Sequence, residues 1–193
     1  MIPLQPPFRP ATPADAAVLA ELVNHAGEGL PLYLWDKMKE PGETAWDVGR
    51  RRAARDEGSF SYRNAALIDH AGAAAGCLIG YGIADTPEPV PDDIPAMFRP
   101  LLELENLAPS TWYVNVLAVL PAHRGQGLGG KLLTLAEEIG RAEGKTGMSI
   151  IVSDGNPGAR RLYERCGYRV VAERPMVKEA WRNPGEHWVL LVK

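Results

Sequence analysis

Residues 113–133 of the chain read YVNVLAVLPAHRGQGLGGKLL. The stretch begins with β-branched residues that favour a strand, continues through a short turn and a glycine-rich loop, and ends in leucines at helical spacing. Glycines let a backbone approach a ligand closely, and the first turn of a helix offers unpaired N–H groups beside the positive end of the helix dipole. This order of elements predicts an anion-binding site, to which a diphosphate is well suited.

A second motif follows the next apolar segment, where residues 156–168 read NPGARRLYERCGY. The first motif, Arg124–Gly129, resembles the coenzyme A pyrophosphate loop of the GNAT superfamily of N-acyltransferases, which has the pattern Arg/Gln-x-x-Gly-x-Gly/Ala. The second is similar to that family's segment Asn-x-x-Ala-x-x-x-Tyr-x-x-x-Gly-Phe/Tyr. The two matches cover residues 112–170, and the N-terminal half resembles the family only in its order of elements.

The resemblance implies an α/β fold of the α+β type, the GNAT fold, with a mixed and mostly antiparallel sheet of about six to seven strands flanked by helices. Periodicity and capping residues predict the same order of elements. Helices are expected from Thr12 to Gly27, over 44–56, from the glycine loop to Gly144 and over 158–166. Strands are expected over 62–69, 77–84, 112–119, 148–153, 168–172 and 187–192, the first two forming a hairpin.

The length of 193 residues suits a single domain, residues 1–193. Within it, residues 1–12 are rich in proline and are expected to form an N-terminal arm. Residues 85–105 form an unusual insertion, in which residues 85–95 carry four prolines and a short helix is expected over 96–105. A segment of this length near an active site is typical of a lid that faces the substrate.

The composition describes an ordinary globular protein, with 46% hydrophobic and 23% charged residues. A net charge of −3 gives little electrostatic basis for binding nucleic acid. No segment reaches transmembrane length, so we expect no membrane partner and a cytoplasmic protein. Cys77 and Cys166 lack the spacing of metal ligands, the histidines are scattered, and we expect no metal. The sequence leaves open whether the protein forms a homodimer.

The resemblance assigns coenzyme A contacts to the strand before the loop, to the loop and to one residue after the next strand. In the family, backbone N–H and C=O groups of that strand pair with pantetheine, and the loop binds the diphosphate. The implied contact residues are Leu117, Val119, Arg124, Gly125, Gln126, Gly127, Leu128, Gly129, Gly130 and Asn156. For Asn156, a side chain that closes the turn before Pro157 is the alternative.

Transfer of an acyl group from a thioester to an amine needs a proton acceptor, stabilisation of the carbonyl oxygen and a proton donor for the leaving thiolate. Tyr163 occupies the family's tyrosine position and is the implied catalytic donor, with a packed aromatic residue as the alternative. Some family members place a basic glutamate early in the strand before the loop, but Tyr113 stands there. Glu28, Glu103, Glu105 or a water relay remain open as the base.

The resemblance therefore implies an N-acyltransferase that uses acetyl-CoA, or another short acyl-CoA, as cosubstrate. The amine, from a small molecule or a peptide, attacks the thioester directly, since no activated cysteine or serine motif is present. The acceptor's identity stays open. Tyr33, Trp35 and Trp112 suggest a pocket for an apolar or aromatic body.

Two other functions fit parts of the sequence. A coenzyme A-binding sensor or interaction module would bind the same ligand without catalysis. A nucleotide-dependent oxidoreductase is suggested by Gly125-x-Gly127-x-x-Gly130, with Asp154 at a plausible distance for a ribose ligand. In that fingerprint the strand runs almost directly into the first glycine, whereas residues 121–124 intervene here, and too little chain follows for a full doubly wound sheet.

Overall fold

The computed structural model describes residues 2–193. Its α-helices are α1 (Ala16–Ala26), α2 (Leu30–Lys37), α3 (Ala45–Ala53), α4 (Arg99–Glu105), α5 (Leu128–Ala142) and α6 (Pro157–Arg165). Its strands are β1 (Phe8–Pro10), β2 (Ala65–His70), β3 (Ala73–Gly82), β4 (Thr111–Val119), β5 (Gly147–Ser153), β6 (Arg169–Pro175) and β7 (His187–Val192). Short 3₁₀ turns cover Pro13–Asp15, Tyr62–Asn64 and Pro121–His123.

The strands form one sheet of seven in the order β1-β2-β3-β4-β5-β7-β6. The pairs β1–β2, β2–β3, β5–β7 and β6–β7 are antiparallel, and β4 runs parallel to β5. This arrangement confirms the mixed, mostly antiparallel sheet predicted from the sequence. Among residues 2–193, no helix is both long and apolar enough to cross a membrane.

The chain divides into two compact units. The first comprises the chain up to Gly80 together with Val116–Leu132, and the second comprises Tyr81–Asn115 with Leu133–Lys193. The first unit packs its helices and strands around a buried apolar cluster. Members of that cluster include Leu19, Leu22, Val48, Leu67, Ile79, Val116 and Ala118.

Local sequence explains the starts of the elements in the first unit. The Thr12 backbone N–H donates to Asp15, and the Thr44 backbone N–H donates to Asp47, so each forms a capping box at a helix start. The predicted β2–β3 hairpin is confirmed, with Asp69 and His70 pairing with the first residues of β3. Its turn, Ala71–Gly72, has positive φ at both residues, as type I′ hairpin turns require.

Two elements of the first unit were not predicted from the sequence. Residues 8–10, assigned to a terminal arm, form β1 and pair with β2. The Arg9 guanidinium fixes this strand, because it contacts both Asp15 (2.8 Å) and Asp69 (3.0 Å). The arginine holds the pKa of Asp15 at about 2. The second unpredicted element is α2, which starts after Gly29 at φ +86 with proline in its first turn.

The second unit is built around β7, which pairs with β5 on one side and with β6 on the other. The insertion predicted over 85–105 has no helix or strand before Arg99, where α4 begins three residues later than expected. Its chain is held at Glu88, whose backbone N–H and C=O both bond to the Asn106 side chain. Helix α4 then packs against β5, β6 and β7.

Tyr168 follows α6 and is 2% exposed. Its hydroxyl oxygen is buried and has no hydrogen-bond partner among residues 2–193, and burial raises the pKa of this phenol. A buried polar group without a partner loses its hydration and gains nothing in return. The ring therefore stabilises the unit, whereas the hydroxyl destabilises it.

Replacing Tyr168 with Phe is expected to raise the free energy of unfolding by about 1 kcal/mol, because only the unpaired hydroxyl is removed. Urea denaturation followed by tryptophan fluorescence measures the change. Tyr62→Phe is the matched control, since the Tyr62 hydroxyl donates to Asp56 at 2.6 Å, and it should give no gain. A Tyr168→Phe variant no more stable than the parent would contradict this interpretation.

Candidate active site

Strand β4 is paired along only part of one edge. Its ladder with β5 ends at Val114 and Ile150, although β4 continues to Val119. At the end of β4, the Leu120 N–H donates to the Ala75 carbonyl at 2.8 Å. Because successive N–H groups of a strand point to opposite sides, those of Leu117 and Val119 point away from β3. On that side, within residues 2–193, the ladder of β4 with β5 includes no residue of β4 beyond Val114.

The opposite edge of β4 is fixed by close backbone packing. A Cβ atom at Gly76 of β3 would lie 2.6 Å from the Ala118 carbonyl oxygen, so only glycine permits this approach. Val116 and Ala118 are also buried in the core of the first unit. The end of β4 is therefore held in place by its contacts with β3 and the core, although its other edge is unpaired.

The glycine loop follows β4 after the 3₁₀ turn Pro121–His123. Gly125 and Gly127 have φ of +76° and +77°, which favours glycine over other residues. The Lys131 N–H donates to the Gly127 carbonyl at 3.2 Å, and Leu128 and Gly129 precede it at the start of α5, where backbone N–H groups have no partner within the helix. A Cβ atom at Gly125, Gly127 or Gly130 would meet no heavy atom within 4 Å.

Charge at the loop favours an anion. The Nε of Arg124 donates to the Val119 carbonyl at 3.1 Å, which anchors the side chain beside the loop. Its two terminal nitrogens have no partner in the described part of the chain. The first turn of α5 contains no acidic residue that would cancel the helix dipole. The open backbone and the positive charge fit a diphosphate.

The second motif forms α6, in the second unit. Asn156 caps this helix, with its Oδ1 accepting from the Ala159 N–H at 3.1 Å, as the turn alternative predicted. Tyr163 lies on the buried face of α6 and is 5% exposed. Its ring centroid is 6.2 Å from that of Tyr168. The structure thus places both motif residues on one element, and Asn156 has a local structural role.

A cluster that the sequence did not single out, here called the tyrosine–glutamate cluster, joins Tyr81, Glu105, Tyr113 and Tyr163 in the second unit. The Tyr81 hydroxyl donates to Glu105 Oε2 at 3.0 Å, and its ring lies edge-on to Tyr113 at 5.4 Å. Burial raises the pKa of Tyr113, and the nearby Glu105, Tyr81 and Tyr163 raise it further. Desolvation also raises the pKa of Glu105 above that of an exposed glutamate.

The candidate bases differ in their partners. Glu103 Oε2 accepts from Arg174 Nε at 3.2 Å and is neutralised by this ion pair. Glu28 lies in the turn before α2, with φ +52°, in the other unit. Among the three carboxylates named from the sequence, only Glu105 joins the tyrosine–glutamate cluster.

The aromatic pocket predicted from the sequence is wrong for two of its three residues. Trp35 is 3% exposed and stacks on Phe60 at 5.8 Å within the core of the first unit. Trp112 is equally buried, and its indole N–H donates to Glu143 at 3.1 Å. Tyr33 is half-buried under the Lys37 ammonium. Packing requirements, rather than a ligand, explain the two tryptophans.

Three other kinds of chemistry have little basis in the described residues. Burial raises the pKa of the Cys77 thiol to about 12, so it supplies no nucleophilic thiolate. Within residues 2–193, no group of three or more histidine, cysteine or acidic side chains could hold a metal.

The Asp154 carboxylate, suggested as a ribose ligand, instead accepts from the Glu186 N–H at 2.8 Å and lies 3.4 Å from His187. The dinucleotide interpretation thus loses its acidic residue.

Comparison with known sequences decides the family. Residues 31–168, more than half of the chain, match the sequence pattern of the acetyltransferase (GNAT) family. The chain belongs to the GNAT family. This membership covers the glycine loop, α6 and the tyrosine–glutamate cluster, and it confirms the resemblance drawn from the two motifs.

This GNAT chain is similar to one acetyltransferase in sequence and to another in fold. Acetyltransferase Atu2258 of Agrobacterium fabrum (strain C58) is 48% identical over 56 residues, which are 29% of this chain and 39% of that protein. The match therefore spans about two fifths of that relative's length. A crystal structure of an acetyltransferase has a TM-score of 0.67 at 26% identity and covers 96% of this chain and 97% of its own.

A second solved structure, an N-acetyltransferase from Staphylococcus aureus Mu50, has a TM-score of 0.62 at 18% identity. It covers 96% of this chain and 99% of its own. At this identity the likeness shows the fold alone.

Acetyl-CoA, used as a probe of the anion site, is expected to raise the free energy of unfolding by about 2.7 kcal/mol at a hundredfold excess over Kd. Gly127→Asp should abolish this shift, because it adds a negative side chain to the open loop. Gly72→Asp is the matched control, since Gly72 also has positive φ and open space around it. Thermal denaturation with and without acetyl-CoA measures both, and full stabilisation of Gly127→Asp would refute the assignment of the loop.

Proposed function

We propose that this GNAT protein transfers an acetyl or other short acyl group from its coenzyme A thioester to a primary amine. The amine attacks the thioester directly in a ternary complex. The observation that carries the proposal is the continuity of the unpaired edge of β4 with the open, positively charged loop Arg124–Gly130. An extended amide-containing chain that ends in a diphosphate has the chemistry to occupy both.

In this proposal the two segments bind different parts of coenzyme A. The N–H groups of Leu117 and Val119 pair with pantetheine as a neighbouring strand would, while the Val119 carbonyl stays engaged by Arg124. The loop N–H groups from Gly125 to Gly130 and the terminal nitrogens of Arg124 hold the diphosphate. Gln126, exposed within the loop, lies against the same group.

Acetyl-CoA supplies the activated acyl group. The protein polarises the thioester carbonyl and donates a proton to the leaving thiolate. An N–H near Leu117 donates to the thioester carbonyl, where negative charge develops as the amine attacks. Tyr163 donates its hydroxyl proton to the departing thiolate. The high pKa of Cys77 is consistent with a reaction that forms no covalent enzyme intermediate.

The proposed acceptor is an amine of a small molecule or of a peptide. Residues 85–98, which lack helix and strand, are proposed as the segment that faces it. A cytoplasmic location is part of the proposal, and Asn156 keeps a proposed contact with pantetheine in addition to its cap.

A panel of primary amines, assayed for free coenzyme A, tests the proposed function. Release that requires both acetyl-CoA and an amine supports transfer. Tight binding of acetyl-CoA without release for any amine would instead indicate a sensor or interaction module.

Tyr163→Phe keeps the ring and removes only the proton donor, so folding and acetyl-CoA affinity should change little. Loss of a positioned acid lowers rates by about 10² to 10⁴-fold, and the lower end is expected because a thiolate leaves readily. Steady-state kinetics should show the fall in kcat and in kcat/KM alike. The control is Tyr62→Phe, in the other unit. Full kcat in Tyr163→Phe, where chemistry limits turnover, would make Tyr163 structural.

A further inference from the structure

The last turn of α3 carries three arginines, Arg50, Arg51 and Arg52, which differ in their partners. Arg50 Nη1 lies 2.8 Å from Asp47 Oδ1. Arg51 Nη2 lies 3.0 Å from Glu43 Oε2. Arg52 is half-buried, yet it forms no hydrogen bond or ion pair within residues 2–193. The negative end of the helix dipole favours positive charge here, but it does not provide Arg52 with an ion-pair partner.

Arg55, two residues after the end of α3, is held by the loop that follows it. Its Nε donates to the Phe60 carbonyl at 3.0 Å, and the Ser61 hydroxyl donates to the Arg55 carbonyl at 2.5 Å. Gly58, with φ +84°, packs against the guanidinium, and a Cβ atom there would lie 2.7 Å from Arg55 Cζ. The Asn64 side chain fixes this loop by donating to the Gly58 carbonyl at 3.0 Å. The loop thus holds the guanidinium by its Nε, and the two terminal nitrogens have no partner among the described residues.

The two unpaired guanidinium groups are close enough for their charges to interact. Burial lowers the pKa of Arg52, and the charge of Arg55 lowers it further. An arginine keeps its proton near neutral pH, so the lowered pKa reflects a charge that is held unfavourably rather than one that is lost. The acids of the following loop do not compensate it. Asp56 pairs with Arg63 at 2.7 Å, and Glu57 is exposed and forms no ion pair within residues 2–193.

The guanidinium groups of Arg52 and Arg55 have the chemistry of a phosphate-binding site. A half-buried charge without a counterion is unfavourable until an anion compensates it. Guanidinium groups bind phosphate oxygens through two parallel N–H donors, and a phosphate monoester carries close to two negative charges, which matches two arginines. A long polyanion such as nucleic acid fits less well, because the chain has a net charge of −3.

We propose that Arg52 and Arg55 bind the phosphate group of a small ligand, at a site separate from the glycine loop. Arg55 is the fixed half of the site, and Arg52 is the half whose charge is compensated when phosphate binds. Both residues lie in the first unit. The inference goes beyond acyl transfer, because neither arginine belongs to β4, to the glycine loop or to α6.

The test compares the thermal denaturation of the parent protein and of Arg52→Met, in phosphate and in chloride at equal ionic strength. Inorganic phosphate at tenfold excess over its Kd should raise the Tm of the parent by about 3 to 6 °C. Without phosphate, Arg52→Met should be at least as stable as the parent, because an apolar side chain replaces an uncompensated charge. With phosphate, the parent should become the more stable protein, which a purely structural role of Arg52 would not produce.

Two controls separate this site from other effects of phosphate. Phosphate stabilises folded proteins in general by exclusion from their surface, so the difference between the variants measures the site. Arg50→Met is the matched control, on the same helix but paired with Asp47, and it should respond to phosphate as the parent does. The loss caused by Arg52→Met should be the same in a Gly127→Asp background, where the glycine loop is altered. A failure of the proposed coenzyme A site would therefore leave this result unchanged.

A second variant keeps the test decisive if Arg52→Met does not fold. Arg52→Gln keeps a polar side chain, and calorimetric titration with inorganic phosphate should show an affinity reduced about tenfold or more. A response to phosphate in Arg52→Met or Arg52→Gln equal to that of the parent would overturn the inference. An Arg52→Met variant less stable than the parent by the same amount in both buffers would overturn it too.

Kinetics with O-phosphoethanolamine and ethanolamine distinguish the two sources of the phosphate group. If the phosphate is part of the acceptor, kcat/KM should be about tenfold or more higher for O-phosphoethanolamine, and Arg52→Met should abolish the difference. If it belongs to a separate ligand, O-phosphoethanolamine should have no advantage over ethanolamine, while inorganic phosphate still stabilises the parent through Arg52.

Discussion

The proposed coenzyme A site depends on the early end of the β4–β5 ladder. Beyond Val114, β4 stays fixed on its β3 side by the Gly76–Ala118 approach, while among the described residues its ladder with β5 does not continue. An unpaired edge inside a sheet is unfavourable unless something else bonds to it. Because this edge lies directly before the glycine loop, the proposed cosubstrate has an extended amide-containing arm that pairs with the strand and a diphosphate that binds the loop. If β4 were paired along its whole length, the loop could still bind a diphosphate, but no strand edge beside it would be available for pantetheine.

The groups named in the proposal are of a different kind in each unit. The first supplies backbone N–H groups and the Arg124 charge, which bind without changing protonation. The second unit holds the proposed proton donor Tyr163, in a cluster where desolvation raises the pKa of Glu105 and Tyr113. Variants of the loop are therefore expected to affect binding of the acyl donor, whereas variants of Tyr163 are expected to affect proton transfer.

The sequence predicted the parts of the structure that are encoded locally. The glycine loop, the β2–β3 hairpin and the cap of α6 each depend on a few adjacent residues with restricted φ or capping side chains. Strand β1 was missed because its identity depends on pairing with residues some sixty positions away and on the ion pairs of Arg9. Trp35 was misassigned because an aromatic side chain looks the same in a core and in a pocket. Glu105 could be named but not chosen, since only the fold brings it to Tyr81 and Tyr113.

Amide hydrogen exchange, followed residue by residue by NMR with and without acetyl-CoA, shows whether the unpaired edge of β4 binds the cosubstrate. The N–H groups of Leu117 and Val119 and those of the loop should exchange slowly only when acetyl-CoA is bound. The N–H of Leu120, already bonded to Ala75, should be protected in both states and serves as the internal reference. Unchanged exchange at Leu117 and Val119 in a protein saturated with acetyl-CoA would contradict the claim that the unpaired edge of β4 binds the cosubstrate.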